Sequence, residues 1–391
     1  MSRVLFVVPP FLSHVQPTVA IGAELVRRGH AVAWTGYAEL APVLPAWATF
    51  YPITSAFVAV LRERGMTTTR AWLGGMKALF EGVLAPMAAD MLPGVEDAIA
   101  QFRPDAMLVD QQAIAGALAA RRRGVVWGTS APTAMLFEPM MPELPKVGAW
   151  LVDLLARVQR DAGLPTVPWP DRSDALVLLY VSREFVGQGA ARVPAHYRFV
   201  GPLRGERVES PAFPWEKLSA TAPRIFVSLG SVVAGRGGSF FAKVAEAFAD
   251  TDLQVILQLP PGFEVAAPPN FIVRPWVPLL QLYPWLTAVL SHAGSTVVEA
   301  IAHGLPSVVA PVAGDQFIFA RCAVACGAAR RISFTRSSAA EIRTAMLDVL
   351  DNPEYRTAAR RIQGTLERAG GVAAAADAVE ALAIPSPRRY P

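Results

Sequence analysis

Short apolar runs alternate with stretches of helical periodicity along the first half of the chain. Val4 to Val8 predicts a buried strand, and about Val15 to Arg28 predicts a helix that ends at Gly29. The same criteria predict further strands at Ala31 to Thr35, Pro104 to Asp110, Gly124 to Thr129, Ala175 to Val181 and Arg198 to Val200. This alternation is typical of an α/β domain with a parallel sheet.

The alternation restarts after Arg204 to Pro223, a stretch with several prolines and few apolar repeats. Strands are predicted at Ile225 to Leu229, Leu253 to Leu259, Phe271 to Arg274, Leu286 to Leu290 and Ser307 to Pro311, and helices at Phe240 to Phe248, Val297 to Ala302 and Val372 to Ala383. Two such halves predict two parallel-sheet domains that face each other across a cleft. We place the first domain at residues 1–204, a linker at 205–222, the second domain at 223–372, and a C-terminal helix with a tail at 373–391.

Composition narrows the class of protein. Of the 391 residues, 53% are hydrophobic and 17% are charged, which is typical of a folded chain with a large interior. The formal net charge is only +4 and the arginines are scattered, so we expect no nucleic-acid partner. Prolines and polar residues interrupt the long uncharged run Pro275 to Val298, which argues against a membrane-spanning segment. The amino-terminal apolar run is too short for a signal peptide, so we expect a cytoplasmic protein.

Two sets of apolar and sulfur-containing residues have an ordinary structural interpretation. Between Phe57 and Leu92, methionines and aromatic residues recur at roughly helical spacing, which favours a core helix. Some of them could instead line a pocket for an apolar substrate. Cys322 and Cys326 are the only cysteines, and a lone pair makes neither a disulfide framework nor a complete metal site, which favours buried free thiols.

His14 and Asp110 both follow predicted strands of the first half. Ligands of open parallel sheets bind beyond the carboxyl ends of the strands, so both residues are expected on one rim. A His there can act as a base, and a carboxylate can hold its imidazole in one tautomer. The alternatives are a His that bonds to a loop carbonyl and an Asp that caps the next helix. For His14 the two interpretations are about equal on position alone.

In the second half, polar residues collect at a strand-to-helix turn from Ser291 to Glu299. It contains His292, Gly294, Ser295 and Thr296, and unpaired helix amides at such a turn favour an anion such as a diphosphate.

Further candidates lie on either side of this turn. Trp276 offers a flat face for a nucleobase, and Asp315 and Gln316 suit sugar hydroxyls. A helix cap by Asp315 is the commoner alternative.

These motifs resemble those of the family 1 glycosyltransferases over nearly the whole chain. The amino-terminal part is His14-Val15-Gln16-Pro17-Thr18 followed by Arg27-Arg28-Gly29-His30. The more specific carboxy-terminal part comprises Trp276-Val277-Pro278, His292-Ala293-Gly294, Glu299-Ala300, Gly304-Leu305-Pro306, Pro311 and Asp315-Gln316. The chain is most similar to the bacterial branch that glycosylates macrolides, carotenoids and other lipophilic natural products. In many relatives a Gln follows the Trp-x-Pro segment, where this chain has Leu279.

The resemblance implies a GT-B fold and an inverting transfer from a UDP- or dTDP-sugar to a lipophilic small-molecule acceptor, with no cofactor and no metal. It implies that His14 is the catalytic base and Asp110 its partner.

The resemblance also assigns the residues of the donor site. Trp276 and Val277 hold the base, Glu299 the ribose, and Asp315 and Gln316 the sugar. The diphosphate is held by His292, by the turn with Gly294, Ser295 and Thr296, and by Ser231.

Two rival functions stay open at this point. A nucleotide-sugar 2-epimerase would share the architecture and need no acceptor. A non-catalytic nucleotide-sugar-binding helper protein would bind the donor without turning it over. Both rank below the transferase because they leave His14 and Asp110 without a role. The oligomeric state is also open, with a homodimer as one option.

Overall fold

The apolar runs of the sequence form the strands of two parallel sheets. The computed structural model describes residues 1–63, 75–136, 145–205, 212–230 and 237–384. The first sheet consists of β1 (Arg3–Val7), β2 (Ala31–Tyr37), β3 (Thr49–Ile53), β4 (Ala106–Asp110), β5 (Trp127–Ala131), β6 (Val177–Leu179) and β7 (Tyr197–Phe199). Its strands lie in the order 3-2-1-4-5-6-7, and all neighbours are parallel. The carboxyl ends of β1 and β4 are therefore adjacent.

The second sheet repeats this architecture. It consists of β8 (Arg224–Ser228), β9 (Gln254–Gln258), β10 (Phe271–Arg274), β11 (Ala288–Ser291), β12 (Ser307–Val309) and β13 (Ala329–Arg331). The order is 10-9-8-11-12-13 and all neighbours are again parallel. The prediction of two parallel-sheet α/β domains is confirmed.

Helices connect the strands and cover the sheets. In the first half they are α1 (Leu12–Arg27), α2 (Phe57–Glu63), α3 (Gly75–Leu79), a π-helical turn (Phe80–Leu84), α4 (Ala85–Phe102), α5 (Ile114–Arg123), α6 (Pro145–Asp161) and α7 (Arg183–Val186). In the second half they are α8 (Gly238–Phe248), α9 (Leu279–Leu282), α10 (Ser295–Ala302), α11 (Gln316–Ala325), α12 (Ala339–Asp351), α13 (Pro353–Arg368) and α14 (Gly371–Ala383).

One helical stretch, Gly75–Phe102, is long and apolar enough by length and composition to cross a membrane. Its Met87, Met91 and Val95 are fully buried, and they pack into the same core cluster as Leu5 of the central strand β1. The stretch therefore serves as a core helix of the first domain, the favoured interpretation of the methionine and aromatic pattern. Other members of that pattern, Met66 and Trp72, lie outside the described residues.

Two predicted boundaries need correction. The strand predicted from Gly124 begins only at Trp127, because Gly124 adopts a φ of +66° and ends α5. The predicted loop Glu138 to Lys146 ends earlier than expected, since Pro145 and Lys146 already belong to α6. Proline suits a first helical turn because its missing N–H would have no partner there. Residues 137–144 lie outside the described residues.

The last helix, α14, packs against the first sheet's domain. Its Ala375, Ala376 and Val379 are fully buried, in one cluster with residues of β1 and α1. The Nη1 atom of Arg28, which directly follows α1, lies 2.6 Å from Asp377 Oδ1 and 2.7 Å from Glu380 Oε2. The last described helix therefore packs on the domain that contains β1.

Candidate active site

His14 and Asp110 meet at the carboxyl edge of the first sheet. His14 lies in the first turn of α1, and Asp110 is the last residue of the adjacent strand β4. The imidazole Nδ1 lies 2.9 Å from Oδ2 and 3.0 Å from Oδ1 of the carboxylate. Because a carboxylate only accepts hydrogen bonds, Nδ1 carries the proton and Nε2 is the basic atom.

The surroundings keep this pair in place. His14 is 7% exposed and Asp110 is fully buried, and the main-chain N–H of Gln112 donates to Asp110 Oδ1 over 2.8 Å. Asp110 thus also holds the turn before α5, but it does not cap that helix, whose N-cap is Ala113 without a side-chain hydrogen bond. The ring of Phe11 packs edge-on against the imidazole, with 5.4 Å between ring centroids.

His292 follows β11 at the carboxyl edge of the second sheet. The next residue, Ala293, has a φ of +61°, and α10 then begins at Ser295 without a side-chain cap. Burial lowers the pKa of His292 to about 4, partly opposed by a main-chain hydrogen bond with Ser228. The imidazole is therefore neutral at pH 7 and lies beside the uncapped amides of α10.

Gly230 makes room for His292. It has a φ of +66°, and a Cβ at this position would lie 2.6 Å from Cε1 of the imidazole. Glycine is thus required both by the backbone conformation and by the close approach of the ring. The neighbouring predicted residue Ser231 lies outside the described residues.

Trp276 and Glu299 line the same cleft. Trp276 is 49% exposed, while the neighbouring Val277, which also lines the cleft, is buried. The hydroxyl of Tyr283 donates to Glu299 Oε2 over 3.2 Å. Tyr283 is itself fully buried and stacked on His303, with ring centroids 4.6 Å apart. Tyr283 therefore orients the carboxylate of Glu299.

Asp315 and Gln316 stand where α11 begins. The Asp315 side chain does not cap this helix; its Oδ2 accepts the main-chain N–H of Ala134, in the first domain, over 3.2 Å. Burial raises the pKa of Asp315 to about 6, opposed by the Ala134 N–H and by the charge of His14. Gln316 Oε1 accepts the N–H groups of Val312 and Ala313 over 2.8 and 3.1 Å, which leaves its amide N–H groups for a ligand.

One cleft of about 400 Å³ joins both halves of the site. The predicted residues that line it are His14, Trp276, Val277, His292, Gly294, Ser295, Thr296, Glu299, Asp315 and Gln316. Asp110 lies behind His14 rather than on the wall. The structure thus brings the described candidates from the two halves of the chain together.

The cleft also contains polar residues that the sequence reasoning did not single out. They are Thr133, Tyr180, Ser228 and Gln258. Ser228 and Gln258 are the last residues of β8 and β9, so the strand-end rule applied to His14 and Asp110 would have found them too.

Within the described ranges, no three His, Cys, Asp or Glu side chains come together as a potential metal site. Cys322 and Cys326 form no disulfide; Cys322 is buried as predicted, whereas Cys326 is only partly buried.

Comparison with known proteins assigns this fold and cleft to a class. The glycotransferase of kitacinnamycin, a solved structure, superposes with a TM-score of 0.81 at 26% identity and covers 98% of this chain and 99% of its own. Demethyllactenocin mycarosyltransferase of Streptomyces fradiae is 28% identical over 99% of this chain and 87% of its own length. 4'-Demethylrebeccamycin synthase of Lentzea aerocolonigenes is 28% identical over 97% and 99%, respectively. The protein is a glycosyltransferase of GT-B fold.

The family model of UDP-glucoronosyl and UDP-glucosyl transferases matches residues 215–366. This range contains the second sheet and the loops of Trp276, His292 and Asp315. Residues 215–366 therefore match this family, in agreement with the resemblance read from the motifs.

Proposed function

We propose that the protein transfers a sugar from a UDP- or dTDP-sugar to a hydroxyl group of a lipophilic or aromatic natural product, with inversion at the anomeric carbon. The observation that carries this proposal is the His14–Asp110 pair, which faces the loop of His292 across one cleft. Each domain supplies one half of the chemistry, a base and an anion site.

In the first step His14 Nε2 accepts the proton of the acceptor hydroxyl while Asp110 stabilises the resulting imidazolium. The acceptor oxygen forms a bond to the anomeric carbon as the bond from that carbon to the diphosphate oxygen breaks. Attack from the face opposite the leaving group inverts the configuration. The proton on His14 then passes to solvent.

The leaving diphosphate receives its stabilisation from the second domain. We assign this role to His292 and to the amides from Gly294 to Thr296, with Ser231 as a further contact. We assign the base to Trp276 and Val277 and the ribose to Glu299.

We assign binding of the sugar to Asp315 and Gln316. Because these groups cover the whole donor, we propose that no metal is needed, and we expect transfer to persist in EDTA.

The acceptor side of the cleft is largely apolar. It is lined by Pro10, Phe11, Leu12, Ala131, Pro132 and Val181. Such a wall favours a lipophilic or aromatic acceptor. The names of the relatives, a demethyllactenocin mycarosyltransferase and a 4'-demethylrebeccamycin synthase, support a natural-product acceptor. We propose a cytoplasmic location for this reaction.

The test is transfer by purified His14→Ala protein from UDP- and dTDP-sugars to a panel of phenolic acceptors. We expect kcat to fall by about 10²- to 10⁴-fold, the usual contribution of a general base. The Kd for UDP or dTDP stays unchanged, because His14 lies in the other domain. His30→Ala is the matched control, since His30 bonds to Ser2 and Glu380 away from the cleft. Full transfer by His14→Ala, or sugar isomerisation without an acceptor, would contradict the proposal.

A further inference from the structure

Gln258 occupies the nucleoside end of the cleft without a role in the proposal above. It is the last residue of β9, it is partly exposed, and it lines the cleft together with Trp276 and Val277. Val277 and Leu279, which also line the cleft beside Trp276, have apolar side chains. Gln258 is thus placed to present a polar side chain to a base stacked on Trp276.

The carboxamide of Gln258 has a defined orientation. Its Oε1 accepts from the hydroxyl of Ser228 over 3.3 Å, and its Nε2 donates to the main-chain oxygen of Pro275 over 3.4 Å. Ser228 Oγ in turn accepts the N–H of Gly230 over 3.1 Å, so its own proton is directed to Gln258. Since the Pro275 oxygen can only accept, a flipped carboxamide would lose the contact with Pro275.

These two contacts leave half of the carboxamide's hydrogen-bond donors and acceptors available to a ligand. A Gln side chain has two N–H donors and two acceptor lone pairs, and the contacts with Ser228 and Pro275 use one of each. Both contacts are near the upper limit of hydrogen-bond length, so the group can adjust to a ligand with little loss. One N–H and one acceptor lone pair of the Gln258 carboxamide therefore remain available at the cleft, in a fixed order.

Stacking alone does not select a base, because every nucleobase has a π face. Uracil and thymine present an N3–H beside a carbonyl oxygen, which complements an amide that offers one acceptor and one N–H. Cytosine presents the reverse order at the same two positions, an acceptor N3 beside an amino group. An amide that the Pro275 oxygen holds in one orientation distinguishes the two patterns.

We propose that the carboxamide of Gln258 hydrogen-bonds the imide edge of the donor's pyrimidine and selects uracil and thymine over cytosine. This inference rests on the proposed nucleotide-sugar function. Ser228 and the Pro275 carbonyl act as positioning groups that hold the amide in its orientation. The orientation of the amide, and with it the selection of the base, therefore depends on the loops that contain Gly230 and Trp276.

The test measures the Kd of UDP, dTDP and CDP by calorimetry for the wild type, Gln258→Leu and the isosteric Gln258→Glu. We expect the wild type to prefer UDP and dTDP over CDP by at least about tenfold, the discrimination of one good bidentate pair. Gln258→Leu should weaken UDP and dTDP by about tenfold and CDP little, so the preference collapses. Gln258→Glu, which cannot donate to Pro275, should also lose the preference.

Gln254→Leu is the matched control at the other end of β9. Its carboxamide also makes two hydrogen bonds, with the N–H of Ser219 and the oxygen of Lys217, both at 2.7 Å. This variant should lose stability and keep the UDP-to-CDP ratio. An unchanged ratio in folded Gln258→Leu overturns the role of Gln258 alone. A wild type that binds neither UDP nor dTDP overturns the proposed donor as well.

Discussion

Asp315 combines a candidate role in sugar binding with an energetic cost to the fold. Its carboxyl group is 7% exposed and its pKa is raised by burial from 3.8 to about 6. Between these pH values the unfolded chain has released the proton and the folded protein retains it. Folding stability contributed by this group is therefore complete below pH 3.8 and is lost as the pH rises through about 6.

We predict that Asp315→Asn raises the Tm relative to the wild type at pH 7.5, while the two proteins differ little at about pH 4. A difference of about two pH units between folded and unfolded pKa corresponds to at most about 3 kcal/mol. Asn can still accept the Ala134 N–H, so the variant isolates the charge. Differential scanning fluorimetry at both pH values measures the effect.

Asp153→Asn, at an exposed position of α6, is the matched control. A Tm difference that does not grow with pH would contradict the assignment of a buried, ionising carboxyl.

At the scale of single residues, only part of the candidate site could be predicted from the sequence. His14 and Asp110 are 96 positions apart, yet both follow apolar strands, and the strand order places their ends side by side. The sequence predicted that both residues lie on one rim, and the observed strand order brings them into contact. Tyr283 was missed because its role depends on a single contact with Glu299 that loop conformation sets, whereas Gln258 ends β9 and the strand-end rule would have found it.

At the scale of elements, the central strands were predictable, whereas two of the four edge strands, β3 and β13, were not. β1, β4 and β11 are apolar on both faces because helices cover both sides, so each stands out as an apolar run. β3 and β13 lie at sheet edges, and β3 contains Pro52 while β13 contains Arg330 and Arg331. An edge strand pairs on one side only and tolerates proline and charge, which removes the signal.

The attachment of α14 to the first domain depends on its buried face more than on its ion pairs. We predict that Val379→Ala lowers the stability by about 2 kcal/mol, because Val379 is fully buried and its loss leaves a cavity. Asp377→Ala, which removes a pair with Arg28 at a side chain 69% exposed, should cost less than about 1 kcal/mol. Thermal unfolding of the two variants in parallel tests this order. A larger loss for Asp377→Ala would show that the salt bridge holds the helix.

At the scale of the whole molecule, the two domains share contacts on both sides of the cleft. The Ala134 N–H donates to Asp315, and the hydroxyls of Ser182 and Thr365 lie 2.8 Å apart. A single buried cluster contains Val181 of the first domain and Phe319 of the second. The second domain also returns the chain to the first through α13 and α14. Separate unfolding of one domain would expose this shared surface.

We therefore predict one cooperative endotherm in differential scanning calorimetry rather than two. UDP or dTDP at about 100 times its Kd should stabilise the folded protein by about 2.7 kcal/mol, because it binds only the folded state. The whole endotherm should then move to higher temperature, including the part contributed by the first domain, although the proposed nucleotide contacts lie in the second. The matched ligand control is free ribose 5-phosphate, which lacks the base that Trp276 is proposed to stack against. If the nucleotide splits the endotherm and leaves a low-temperature transition in place, the domains unfold independently and the shared contacts do not couple them.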